Sequence, residues 1–259
     1  MLKALHRFFY AWLFLTRLPA PPLPKAKPED WGRIAPYFTL IGFILGFILY
    51  FFGKVLISYK IPFMFSALLG LFAWVLITGG LHMDGLMDTF DGVNCTDPKR
   101  KIEAMKDSRV GAFGAMACIF ILLFKLVALC TIFVNNLFFI IVISLSLSRL
   151  LAVYSFTFLS KNKDSGTSSS LLLSGIKKPN DFLVNLILFI IISFFSISLL
   201  HLKFTYFFFI IICFFICLPW TYWLERHFKG HTGDTFGALI ELSEVTVLSL
   251  GVIFKNLLT

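Results

Sequence analysis

Three carboxylates follow a long apolar run in the segment Gly80-Leu81-His82-Met83-Asp84-Gly85-Leu86-Met87-Asp88-Thr89-Phe90-Asp91-Gly92. Asp84, Asp88 and Asp91 are spaced i, i+4 and i+7, so on a helix they fall within about 60° of one another on one face. Like charges that close repel, and something positive should sit among them. Every ligand on offer is an oxygen, so a hard divalent cation is the simplest candidate. At the end of a membrane helix this reads as a Mg²⁺-phosphate site at the lipid-water boundary. Asp84, Asp88 and Asp91 are the candidate ligands, with Asp91 also a candidate base. The bland alternative is a solvated helix end.

A second acidic set lies in His231-Thr232-Gly233-Asp234-Thr235-Phe236-Gly237-Ala238-Leu239-Ile240-Glu241-Leu242-Ser243-Glu244. Asp234, Glu241 and Glu244 share a face within about 80°, and Glu244 lies ~15 Å along the helix from Asp234. That depth is hydrocarbon, where a charge costs roughly 2.5–3.5 kcal/mol and normally has a partner and a task. Two acidic faces on separate helices suit a two-metal or metal-plus-base arrangement. Asp234 is thus a fourth candidate ligand and Glu241 a candidate base, both expected in one site with Asp84. The alternative has Glu241 and Glu244 paired with Lys125 and Arg149 as structural glue.

Lys125 and Arg149 fall near the middle of apolar spans and could instead neutralise a polyanionic substrate. The run Lys106-Asp107-Ser108-Arg109-Val110-Gly111-Ala112-Phe113-Gly114 adds the cations Lys106 and Arg109, the acid Asp107, and a helix start whose amides favour phosphate. His82 and His231 flank the two clusters and could act as bases. A lone histidine is more often a hydrogen-bonded helix-end residue.

Positioning these groups is the task of a membrane protein. The 259 residues are 58% apolar and only 14% charged, with 33 phenylalanines and a mean hydropathy of +0.88. Together with repeated runs of about 20 uncharged residues, this predicts an all-α, polytopic transmembrane helical bundle. Seven spans are expected, at roughly 34–57, 61–82, 111–134, 137–159, 182–200, 204–224 and 236–258, with the acidic segment continuing the second one into the cytoplasm. Seventeen of the 23 Lys and Arg residues fall in the N-terminal segment and in alternate loops, against four on the other side. The positive-inside rule then puts the N-terminus and the chemistry in the cytoplasm and the C-terminus outside. The net charge of +9 reflects topology and attraction to lipid, and no nucleic acid is expected.

The chain is expected to form one domain over 1–259. Residues 1–30 supply an interfacial helix and a Pro-rich connector, because Lys3, Arg7, Tyr10 and Arg17 form one polar stripe on an otherwise apolar stretch. A signal peptide is the rival reading, against which no small-residue cleavage site follows. Lys161–Asn180, rich in Ser, Lys and Gly, is the expected mobile loop. The five cysteines show neither a C-x-x-C pair nor zinc spacing, and four lie in apolar runs.

Five motifs in order resemble the cobalamin synthase family: Phe14-Leu15-Thr16-Arg17-Leu18-Pro19, the Gly80–Gly92 segment, Met105–Gly111, Ser148-Arg149, and Thr232–Ala238 with Glu241. The resemblance runs from about residue 8 to 250. It implies a Mg²⁺-dependent transferase of the bacterial inner membrane. Such an enzyme joins adenosylcobinamide-GDP to α-ribazole, or its 5′-phosphate, giving adenosylcobalamin or its 5′-phosphate and GMP. Transferred to this chain, it implies metal ligation by Asp84, Asp88, Asp91 and Asp234. Together with the residue readings above, the candidate catalytic residues are Asp91, Asp107, Glu241 and His82, and the candidate substrate contacts are Arg17, Lys106, Arg109, Lys125, Arg149, Thr232 and Gly233. Lys163-Asp164-Ser165-Gly166-Thr167 departs from the family pattern. A CDP-alcohol phosphatidyltransferase is the rival enzyme, but Asp84-Gly85 lacks the Ala-Arg of that signature. An ion-coupled transporter is the rival from outside enzymes, but the carboxylates are biased to one side and no halves repeat. Homo-oligomerisation is left open.

Overall fold

A computed structural model describes residues 2–107, 109–162 and 179–259. Most of the expected mobile loop, including 163–167, lies outside the described residues. The elements in chain order are α1 (Leu2–Leu15), α2 (Pro28–Trp31), a 3₁₀ turn (Ala35–Tyr37), α3 (Phe38–Ser58), α4 (Phe63–Thr78) and α5 (Leu81–Val93). They continue with α6 (Pro98–Met105), α7 (Ala112–Val134), α8 (Phe139–Phe158), α9 (Pro179–Leu199), α10 (Thr205–Phe228), α11 (Gly233–Ile253) and α12 (Lys255–Leu258). Where lipid offers no hydrogen bonds, a chain must satisfy its backbone internally, and helices are the local solution. Among the described residues, six helices are long and apolar enough to cross a membrane: Glu29–Ser58, which includes α3, and α7 to α11.

The expected second span differs. In place of one helix running from 61 into the acidic segment, α4 stops at Thr78 and α5 departs at 87° to it. The cause is local. Gly79 and Gly80 both adopt left-handed backbone, with φ of +66° and +67°, which a right-handed helix cannot continue through. Their amides close onto the carbonyls of Leu76 and Val75, at 3.2 Å each, and so cap α4. Counting the bent pair as one span gives up to seven candidate crossings among the described residues; α5 itself, 13 residues nearly perpendicular to α4, we read as lying outside the spans.

α8 is the axis and is almost wholly enclosed, with α3, α9, α10 and α11 packed around it. Small residues let backbones approach there. The hydroxyls of Ser146 and Ser148 donate back to their own helix, and that of Ser144 donates to the Glu244 carbonyl on α11 at 3.1 Å. α7 packs beside α4, α5 and α11. The ends grouped by the charge pattern also meet in space. His231 pairs with Ser160 and Asn162 by backbone hydrogen bonds, and Thr205 with Leu257 at the opposite end. α1 lies against α3 and the connector, with the Tyr10 hydroxyl donating to the Pro24 carbonyl and Arg7 paired to Asp30 at 3.5 Å.

An ion cluster ties the interior together. Lys125 on α7 is 2% exposed and Arg149 on α8 and Glu244 on α11 are 0% exposed. The Lys125 ammonium donates to Glu241 at 2.6 Å and to Glu244 at 2.5 Å, while Arg149 donates to the other oxygen of Glu244. Beneath Lys125 lies the ring of Trp74 from α4, 4.6 Å from the ammonium. Two cations meet two anions, so the cluster is neutral, and each charge would be costly without the others. Replacing Lys125 by Met should therefore cost about 3–5 kcal/mol of stability, because Glu241 is left charged and unpaired. Lys125→Met with Glu241→Gln should cost less than Lys125→Met alone, read by thermal unfolding in detergent; equal or additive losses would show the charges are not coupled.

Candidate active site

The acidic face of α5 meets the start of α11. Two glycines permit the contact: a Cβ at Gly85 would stand 2.8 Å from the Asp234 carbonyl oxygen, and one at Gly237 would stand 2.9 Å from that of His82. With backbones that close, Asp234 is carried to the Asp84–Asp88 face although about 150 residues separate them in sequence. Thr232 makes the turn possible by capping α11. Its hydroxyl accepts from the Thr235 amide at 3.2 Å, and the Thr235 hydroxyl accepts from the Thr232 amide at 2.8 Å. Gly233 beside it is exposed.

Asp84 is exposed, whereas Asp88 and Asp234 are half-buried. Burial, followed by the charges of Asp234, Asp84 and Asp91, pushes the Asp88 carboxyl up to about 7. Asp88 thus feels the other three carboxylates. Among the described residues, no three Asp, Glu, His or Cys side chains converge tightly enough to hold a metal on protein ligands alone. The donor set nevertheless fits Mg²⁺, which is commonly held by one or two carboxylates, waters and substrate phosphates rather than by an all-protein cage.

The remaining predicted residues are distributed differently. Both carboxylate oxygens of Asp91 accept backbone amides, from Gly111 and Gly114 at 2.8 Å each. Those are the amides that the sequence reading offered to phosphate. The free donors at the start of α7 have drawn the nearest anion of the protein itself. Asp107 and Arg109 form an exposed pair at 2.8 Å, and that hydrogen bonding holds the Asp107 carboxyl down at about 2. Lys106 is exposed nearby. Lys125, Arg149 and Glu241 belong to the buried cluster, where the two cations are matched by carboxylates. His82 is buried, and neither ring nitrogen has a hydrogen-bond partner among the described residues. His231, also buried, stacks on Phe236 with ring centroids 4.9 Å apart.

Arg17 is exposed and lies against the α4–α5 break. Its amide donates to the Ile77 carbonyl at 2.8 Å, and its side chain covers Gly79 so closely that a Cβ there would overlap it. Sequence reasoning missed this brace, and also Trp74 beneath Lys125. The only signal for either was the residue type, since the partner lies on another element.

The raised Asp88 carboxyl gives a pH dependence. Its folded value of about 7 exceeds the ordinary 3.8, so its contribution to stability is fully present below pH 4 and is lost as pH rises through 7. Metal-free protein in chelator should therefore lose thermal stability from pH 4 to 8 on this account. Asp88→Asn should flatten that slope and be the more stable protein at pH 8. An unchanged slope would show that Asp88 is not the strained group.

Comparison with known proteins agrees with the motifs. The family model described as cobalamin-5-phosphate synthase matches residues 7–252. A protein of Thermoanaerobacter pseudethanolicus named adenosylcobinamide-GDP ribazoletransferase is 33% identical, over 95% of this chain and 97% of its own. Proteins with the same name from Synechocystis sp. and Clostridium tetani are 31% and 33% identical, over 93% and 94% of this chain and 96% and 95% of theirs. No solved structure matches. With family motifs spread from α1 to α11 and a match over nearly its whole length, the chain is an enzyme of the cobalamin-5-phosphate synthase family.

Proposed function

We propose that this enzyme transfers the cobinamide phosphate of adenosylcobinamide-GDP to α-ribazole or its 5′-phosphate, giving adenosylcobalamin or its 5′-phosphate and GMP. The observation that carries the reading is the backbone contact of α5 with α11 at Gly85 and Gly237, which unites the acidic faces of two distant motifs. A ribose hydroxyl of α-ribazole attacks the phosphorus attached to cobinamide. The new P–O bond forms as the diphosphate P–O–P bond breaks, and GMP departs with the electron pair.

Asp84, Asp88 and Asp234 are the residues that would hold Mg²⁺ against the diphosphate. When bound, the ion offsets the negative charge of the donor and of the leaving GMP. A carboxylate of the same face takes the proton of the attacking hydroxyl. Thr232 and Gly233 at the capped start of α11, and Arg17 beside the break, border this face and are suited to contact phosphate oxygens.

We also place this face in the cytoplasm of a bacterial cell, with the C-terminus across the inner membrane. The support is the charge asymmetry, seventeen basic residues against four. A reporter fused after Thr259 should behave as periplasmic and one inserted near Pro98 as cytoplasmic; cytoplasmic behaviour of both would refute the orientation.

The decisive assay incubates purified protein with adenosylcobinamide-GDP, α-ribazole and Mg²⁺ and measures GMP. Turnover is expected, with Asp84→Asn folding normally but losing it by orders of magnitude, since the charge developing on the leaving GMP loses the ion that Asp84 would help hold. GMP no higher than in an enzyme-free control would overturn the proposal.

A further inference from the structure

Asp91 sits on the same helix face as Asp84 and Asp88, yet its surroundings differ in kind. Its two oxygens receive the amides of Gly111 and Gly114, each at 2.8 Å, and the carboxylate is seated in a notch lined by backbone. A Cβ at Gly111 would lie 2.2 Å from one oxygen, and one at Gly114 would lie 2.6 Å from the other and 2.6 Å from the Met87 carbonyl oxygen. Both glycines are therefore needed to admit the carboxylate, and on this side protein fills the space an ion would require. Gly111 is the residue that caps α7, whose 23 residues run on to Val134. A carboxylate received by first-turn amides is also favoured by the dipole of so long a helix.

We propose that Asp91 is a positioning residue, not a metal ligand: it clamps the start of α7 onto α5 and thereby fixes the edge of the acidic face. α7 is then held at two places about 20 Å apart, by Asp91 at its first turn and by Lys125 within the buried cluster. The metal half of this statement rests on the proposed function; the clamp itself does not. The connection after α6, which carries Lys106, Asp107 and Arg109, ends at Gly111, so the clamp also sets where that segment leaves the face. α6 is itself packed against the end of α5, where a Cβ at Gly92 would meet the Met105 side chain at 2.8 Å.

The test uses the full chain in detergent or nanodiscs, with Asp91→Ala, Asp91→Asn and Asp84→Asn compared. Mn²⁺ binding without substrate is read by electron paramagnetic resonance, amide exchange by mass spectrometry, and kcat and KM by GMP release. Asp91→Ala should speed exchange at residues 111–114 by about fivefold or more, the size of a lost cap. Asp91→Asn, keeping one oxygen acceptor, should fall between Ala and the parent. Both should leave Mn²⁺ affinity within about twofold of the parent, whereas Asp84→Asn should weaken it about tenfold or more. Their kinetic loss should appear mainly as a raised KM for the diphosphate donor.

Mn²⁺ affinity falling as far in Asp91→Asn as in Asp84→Asn would make Asp91 a ligand and overturn the assignment. Unchanged exchange at 111–114 in Asp91→Ala would refute the clamp. Parent protein that binds no Mn²⁺ would instead sink the metal reading, and the exchange measurement alone would then decide the role of Asp91.

Discussion

The neutral cluster of Lys125, Arg149, Glu241 and Glu244 is the constraint on which the remaining geometry depends. Apolar helices can slide and rotate against one another at little cost, because one methylene contact replaces another. Charges in hydrocarbon cannot. Once Lys125 spans Glu241 and Glu244, and Arg149 takes the other oxygen of Glu244, the register of α11 against α7 and α8 is set. Asp234 lies seven residues before Glu241, about 10 Å along the same helix, so fixing the cluster fixes the carboxylate above it. The Gly85–Asp234 and Gly237–His82 contacts then bring α5 onto that fixed helix.

Much of this was legible in the sequence because hydrophobicity and charge are one-dimensional signals. The spans from α7 to α11 fall within a few residues of where apolar runs begin and end, and the common face of Asp84, Asp88 and Asp91 follows from helical periodicity alone. The bend after α4 was written there too, as Gly79-Gly80, but a glycine pair equally reads as room for a neighbour. Only the backbone angles show that it ends a helix. Pairings across the fold were the least legible. The pairing of Glu241 and Glu244 with Lys125 and Arg149 could be read only as one of two alternatives, from charge and depth, and nothing near Asp91 announces Gly111, because partners are chosen by packing.

The acidic residues also show that type and spacing do not assign a task. Asp84 and Asp91 are one residue type on one face, seven positions apart. Asp84 opens to solvent, while Asp91 is filled by two amides of another helix. Glu241 is matched by a cation in the interior, and Asp107 is neutralised at the surface by Arg109 two residues away. Each environment uses the same negative charge for a different end: an open donor, a helix anchor, a lock between helices, and a local turn.

The shortness of α4 has a mechanical result for the surrounding lipid. Its 16 residues rise about 24 Å, against a hydrocarbon thickness of roughly 30 Å. A helix that ends early and turns by 87° carries the next segment to the headgroup plane only where the bilayer is thinner than average. With α5 outside the spans, the hydrophobic mismatch is met by a bilayer thinned around α4. A dent in the membrane at that place lets an amphiphile keep its apolar part in lipid while its charged group reaches the carboxylates, without either leaving its preferred solvent.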